Sequence, residues 1–357
     1  MSTERARRTR LGLAILAATL SAGCSQNSSS VDTTLTGSGS TSSPPLVQPI
    51  DTTVATSSHA TAIPVTSTTQ PEPDPASCVP ANLPTTVAYE TIPGVDTNLT
   101  SVDVYPPASL GCDAPVVMWV HGGGYQIGDK GNQIRNKVKL FNDAGWILVS
   151  VNYRLTVAGQ VASAVFPDHY NDVASAVAWV HDHIALYGGD GTRIALLGHS
   201  AGADIVANVV TNPTYLQAVG LDLSAIRCAG PLDTEGFDKT AGNATDPDGE
   251  RKQWKSALGN NPDYITATSA TSLVKPGIGI PQMIGVVRGT PQRQQTETAF
   301  LTTVATNGIE ATTIDARALT HAEVNANIGA PGDTVMTAPL TTFLTNCFTE
   351  DLSQPAG

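Results

Sequence analysis

The sequence predicts an α/β fold: a mostly parallel eight-stranded sheet with helices on both faces and a short irregular lid. Three observations carry this. Apolar, β-branched runs are continuous rather than alternating, as in strands buried on both faces. Segments of helical periodicity separate most of them, which is the rhythm of parallel strands joined by crossover helices. About 275 residues, 78–352, have the composition of one large folded domain.

The expected strands, in order, are 86-TVAYETI-92, 100-TSVDVYP-106, 115-PVVMWVHG-122, 145-GWILVSVNY-153, 193-RIALLGHS-200, 224-SAIRCAG-230, 283-MIGVVRG-289 and 311-ATTIDA-316. The close spacing of the first ones suggests an antiparallel start. The expected helices are 131–145, 168–188, 203–212, 293–308 and 336–348. In the second, Val173, Val177, Val180 and Ile184 recur at spacings of three and four and so share a face. Gly145 and Gly308 stand where helices stop. Between about 232 and 278 periodicity fails, and Gly, Asp, Asn, Pro and Thr accumulate. A stretch that long between strands reads as a lid insertion over a site.

Ahead of the domain, 1–24 has the layout of a secretory signal peptide. Arg5, Arg7, Arg8 and Arg10 precede a short apolar run, and small residues lead to Cys24. The run Leu11–Leu20 is too short to span a bilayer. The stretch 20-LSAGC-24 resembles a lipobox, with Ser21 where the usual Leu stands, so Cys24 is the expected lipid-bearing residue and the protein is expected in the cell envelope or secreted. Residues 25–77, rich in Ser, Thr and Pro and lacking Lys, Arg and aromatics, cannot bury enough apolar surface to order themselves. They read as a disordered tether. Membrane contact is expected only through the anchor.

The net charge of −12 comes without a basic patch, which argues against a nucleic-acid partner. Of five cysteines, four remain if Cys24 carries lipid, and an even count in an exported chain suggests two disulfides. Three pairings are possible; the favoured one joins Cys78 with Cys112 and Cys228 with Cys347. No C-x-x-C spacing occurs, so no zinc site is expected; the chemistry of the motifs calls for no cofactor either.

Two motifs carry chemistry. In 198-GHSAG-202, Gly-x-Ser-x-Gly falls between an expected strand and an expected helix. In that context the serine sits on a sharp turn whose geometry excludes side chains at 198 and 202. Ser200 is therefore the candidate nucleophile. Directly after another strand, 121-HGGGY-125 offers backbone N–H groups at close range. Gly123 and Gly124, with Ala201 after the serine, are the candidate oxyanion donors, and His121 is expected to hold the loop in shape.

The order of these motifs resembles the esterase and lipase branch of the α/β-hydrolase family that carries a His-Gly-Gly-Gly loop. The resemblance extends through 152-NYRL-155, 167-PDHYNDVASAVAWV-180 and 188-GGD-190 and covers nearly all of 85–350. It implies a triad in the chain order serine, acid, histidine. Of seven histidines only His321 follows Ser200, and it lies just past the last expected strand, where the family places its base. His199 would pack beside the site. The acid departs from the family pattern, because Gln292 stands where the aspartate is expected. Asp233, just past the end of the preceding strand, is preferred; Glu297 and Glu323 are alternatives. The resemblance implies a serine carboxylic-ester hydrolase working on small-molecule or lipid esters through an acyl-enzyme, with a feruloyl-type esterase, a peptidase or an inactive binding protein of the same fold as alternatives.

Overall fold

The computed structural model describes residues 84–108, 112–157, 163–234, 236–240, 250–259 and 261–349. The signal peptide, Cys24, the tail 25–77 and Cys78 lie outside the described residues, as does part of the expected lid. Eight strands form one sheet: β1 Thr85–Ala88, β2 Ser101–Tyr105, β3 Ala114–Val120, β4 Ile147–Val151, β5 Gly189–His199, β6 Ile226–Leu232, β7 Gln282–Val287 and β8 Ala311–Asp315. Their spatial order is β1-β2-β4-β3-β5-β6-β7-β8, with β1–β2 and β2–β4 antiparallel and every other pair parallel.

Period-two alternation assigns side chains to the two faces. Along β3, Val116, Met118 and Val120 join one core, under α2 (Asp168–His183) and α3 (Ala201–Thr211). Val117 and Trp119 join the other, under α1 (Arg135–Asp143). All of β4 is buried, which is why its sequence is apolar at every position but Ser150, whose hydroxyl donates to the Lys130 carbonyl at 2.7 Å.

The remaining helices are α4 (Thr214–Gln217), α5 (Glu250–Leu258), α6 (Pro262–Ala267), α7 (Ala270–Leu273), α8 (Pro291–Thr306), α9 (His321–Ala326) and α10 (Thr337–Thr349). The segment 232–278, expected to be irregular, carries α5 to α7 among its described residues. These helices are four to nine residues long, too short to display a repeating apolar face, and are set by caps such as Asn261, whose side chain accepts from the Asp263 N–H. Cys228 in β6 is bonded to Cys347 in α10, as expected, and Cys112 is disulfide-bonded as well.

Two features position the site. The strand order reverses on either side of β3, and crevices beyond the carboxyl ends of parallel strands open at such a switch point. In addition, β6 and β7 pair only at Cys228–Gln282 and Ala229–Met283 and then part, so their carboxyl ends leave room for side chains between them.

Candidate active site

Ser200 links β5 to α3 at φ 59°, ψ −122°, a left-handed conformation that costs a non-glycine residue on the order of 1–3 kcal/mol. The surrounding glycines make that turn possible. A Cβ on Gly202 would lie 2.2 Å from the Val120 carbonyl oxygen, and one on Gly198 would lie 2.4 Å from the Gly202 carbonyl oxygen. Helix and strand therefore meet more closely than any side chain allows, and the serine is pushed to the crest.

The loop after β3 forms the facing wall. Gly123 adopts φ 122°, and a Cβ there would stand 1.9 Å from the Ile127 carbonyl oxygen. Its own carbonyl accepts from the N–H groups of Gln126 and Ile127, each at 3.1 Å, closing a tight turn. His121 holds this loop: its Nδ1 hydrogen-bonds the Gly122 carbonyl at 2.7 Å, and its ring stacks on Tyr153 at 4.5 Å. Tyr125 is tied back to α3 by donating to Asp204, which also accepts from Tyr170 at 3.2 Å and from Lys239 at 2.5 Å.

His321 is the first residue of α9, whose start is fixed by a capping box of Thr320 and Glu323. Its Nδ1 lies 2.7 Å from Asp233 Oδ2. Asp233 follows β6 at φ 70° and is fully buried. Its Oδ2 also accepts from Arg288 Nε, and its Oδ1 accepts from Arg293 Nε at 3.0 Å and Nη2 at 2.6 Å. Burial opposes the charge on Asp233, but the hydrogen bond from His321 and the positive charges of Arg293 and Arg288 outweigh it, holding the carboxyl well below the usual range.

Of the other acids considered, Glu297 is buried on α8. It accepts from the Arg288 backbone N–H at 2.8 Å and from Arg293 Nε at 3.3 Å. Burial pushes its carboxyl up to about 9; Arg293 works against this and the neighbouring Asp233 adds to it. Its surroundings thus favour the protonated form beside Asp233. Glu323 is exposed and is spent on the cap of α9, accepting from Thr320 N at 2.7 Å. Asp233 is thus the carboxylate brought to His321.

His199 packs against the imidazole of His321 at 4.5 Å between ring centroids, and its Nε2 donates to the His321 carbonyl at 2.9 Å. Burial, reinforced by the neighbouring His321, pushes it down to about 3, so it stays neutral. His199, Asp233 and His321 form the one group of metal-ligand type among the described residues, with ligand atoms within 4.8 Å. Both oxygens of Asp233 are already engaged by arginines, which makes a poor cation seat.

Ser200, His321, Gly123 and Gly124 line one open cavity of about 380 Å³. Ala201 lies directly behind the serine at the head of α3, where N–H groups have no intrahelical acceptor. The two arginines were not foreseen. Their signal was present in 288-RGTPQR-293: two cations stand where an acid was sought, complementing an acid supplied by the neighbouring strand.

A sequence profile of the carboxylesterase family matches residues 54–225, which include Ser200 and the 121–125 loop but neither Asp233 nor His321. The para-nitrobenzyl esterase of Bacillus subtilis is 29% identical over 40% of this chain and 30% of its own length. Esterase LipQ of Mycobacterium tuberculosis is 37% identical over 32% of this chain and 26% of its own. The chain spans less than a third of the length of these curated relatives. Among solved structures, esterase B from Lactobacillus rhamnosus superposes with a TM-score of 0.62 at 16% identity, covering 75% of this chain and 87% of that one. Esterase 2 of Thermogutta terrifontis gives 0.57 at 21% identity, covering 74% and 90%. The fold is that of the α/β-hydrolases, and the matched part of the sequence is carboxylesterase-like.

Proposed function

We propose that this chain is a serine hydrolase of carboxylic esters. The observation that carries the reading is the 2.7 Å bond between His321 and the buried Asp233, with His321 on the same cavity as a serine held on a strained elbow. Asp233 accepts from Nδ1–H of His321, which leaves Nε2 unprotonated and able to take the proton of Ser200. The serine oxygen attacks the ester carbonyl. The resulting oxyanion is met by the N–H groups of Gly123, Gly124 and Ala201, each such donor contributing about 3 kcal/mol to barrier lowering. His321 then protonates the departing alcohol, and a water activated by the same nitrogen frees the acid.

The test is hydrolysis of p-nitrophenyl esters from acetate to palmitate by the full chain and by Ser200→Ala. Turnover that the substitution lowers by roughly a thousandfold or more is expected; turnover that survives it overturns the proposal. Attachment to the envelope through Cys24 belongs to the same reading. It is supported by the basic-then-apolar segment before that residue and by the Cys228–Cys347 disulfide, a bond that persists in oxidising compartments. Mass spectrometry of the N-terminal peptide from the membrane fraction should find Cys24 acylated.

A further inference from the structure

A buried lysine lies behind one wall of the cavity. Lys137, on α1, is fully buried, and its Nζ reaches three oxygens: Asn325 Oδ1 at 2.6 Å, the Asn325 carbonyl at 2.9 Å and the Gln133 carbonyl at 3.2 Å. It also sits 4.5 Å from the ring centroid of Trp119, a favourable cation–π placement. Trp119, Gln133 and Asn325 all line the cavity.

Burial lowers the Lys137 amine from its ordinary value to about 7, and its Nζ donates to all three of these oxygens. Asn325 must therefore turn its oxygen to Lys137 and its NH₂ away. That NH₂ donates to Gln133 Oε1 at 2.8 Å. The Gln133 oxygen thereby accepts from Asn325; Gln133 itself is exposed and lines the cavity, and among the described residues its NH₂ donates to no protein atom. The order of donors and acceptors is thus dictated from the buried end of the chain of hydrogen bonds.

The side of the ester that meets this group follows from the helix that carries it. Asn325 is four residues after His321 on α9 and so lies on the same face of the helix. On the proposed mechanism His321 passes its proton to the leaving oxygen, which puts the alcohol portion against α9.

Resting on the esterase reading, we propose that Gln133 is a specificity-determining residue. It offers a preoriented N–H donor to an acceptor oxygen in the alcohol portion, so that ether- and polyol-type alcohols are favoured over alkyl alcohols of equal length. A matched pair tests this: 2-methoxyethyl acetate and n-butyl acetate, which differ by one oxygen in place of one methylene. Acetate release is followed by pH-stat, and each rate is corrected by alkaline hydrolysis of the same ester.

For the full chain the corrected kcat/KM should favour the methoxy ester by roughly fivefold to tenfold, the discrimination of one hydrogen bond. Gln133→Leu should bring the ratio to about one. Lys137→Met should do the same, because Asn325 and Gln133 are then free to flip. Should that buried change prevent folding, Gln133→Glu serves in its place, since it keeps the bond from Asn325 but offers no donor. A ratio near one in the unaltered chain, or a preference that survives Gln133→Leu, overturns the proposal. Absence of Ser200-dependent hydrolysis of either ester overturns the esterase reading and this one with it.

Discussion

The acid of the site is a single residue placed among charges that decide its state. Asp233 is approached by Arg288, Arg293 and His321, whereas Glu297 beside it receives fewer donors, so one carboxyl is ionised and the other keeps its proton. Arg288 Nη2 also lies 2.9 Å from His321 Nδ1 and, like any guanidinium, can only donate. Of these two neighbours, Asp233 is the one that can accept from that nitrogen. In Asp233→Asn the arginine would donate to Nδ1 and drive the proton to Nε2, where it blocks proton abstraction. The expected loss is roughly 10³–10⁴ in kcat, and it should be greater than any change at Glu297. Glu297→Gln should retain turnover, because the glutamate is already neutral near pH 7. Its effect belongs to stability. A carboxyl raised from 4.5 to about 9 in the folded state binds more protons there than in the unfolded chain. The stability it contributes is present below pH 4.5 and is lost as pH rises toward 9. Thermal unfolding of Glu297→Gln against the unaltered chain should therefore show a Tm difference that moves in favour of the variant from pH 5 to pH 9. A constant difference would refute the protonated assignment.

At the scale of elements, the position of the acid follows from how β6 and β7 part after two paired residues. The gap between their ends admits Arg288, just after β7, and Arg293 from the first turn of α8, and both point at the carboxylate of Asp233, just after β6. All eight strands were legible in the sequence, the central ones from largely apolar runs and the partly buried outer strands β1 and β8 from β-branched residues, and Ser200 because Gly198 and Gly202 mark the elbow. Less legible was α9, a six-residue helix with no periodicity to display, although its Thr320-x-x-Glu323 capping box was written out. The ties between elements were not legible at all, since charge pairs such as Asp204–Lys239 join residues 35 apart without a local pattern. That pair anchors the 121–125 loop: Tyr125 donates to Asp204 on α3, which Lys239 also holds while donating to the carbonyls of Gly236 and Thr268. Tyr125→Phe leaves Asp204 its other donors, so the fold should persist while the loop loosens. The expectation is a fall in kcat of about tenfold with KM little changed, as for an interaction felt mainly in the transition state. A rise in KM alone would instead assign Tyr125 to substrate binding.

For the whole molecule, the bond between Cys228 and Cys347 joins the strand that leads to Asp233 to the last helix of the chain, across 119 residues. A covalent loop of that length restricts the unfolded chain strongly and stabilises the fold by about 2–5 kcal/mol. It need not, however, hold the site. Asp233 is fixed from three other directions, by Arg288 after β7, Arg293 on α8 and His321 on α9, all within hydrogen-bond reach. Stability and site geometry are then carried by separate parts of the fold. Replacing both cysteines by serine should lower Tm by on the order of 10 °C while kcat at 25 °C stays close to that of the unaltered chain. The two readouts are melting by circular dichroism and ester turnover on the same preparation. Loss of turnover from a chain still folded at 25 °C would mean that α10, through β6, also sets the position of Asp233, and that the arginines alone do not.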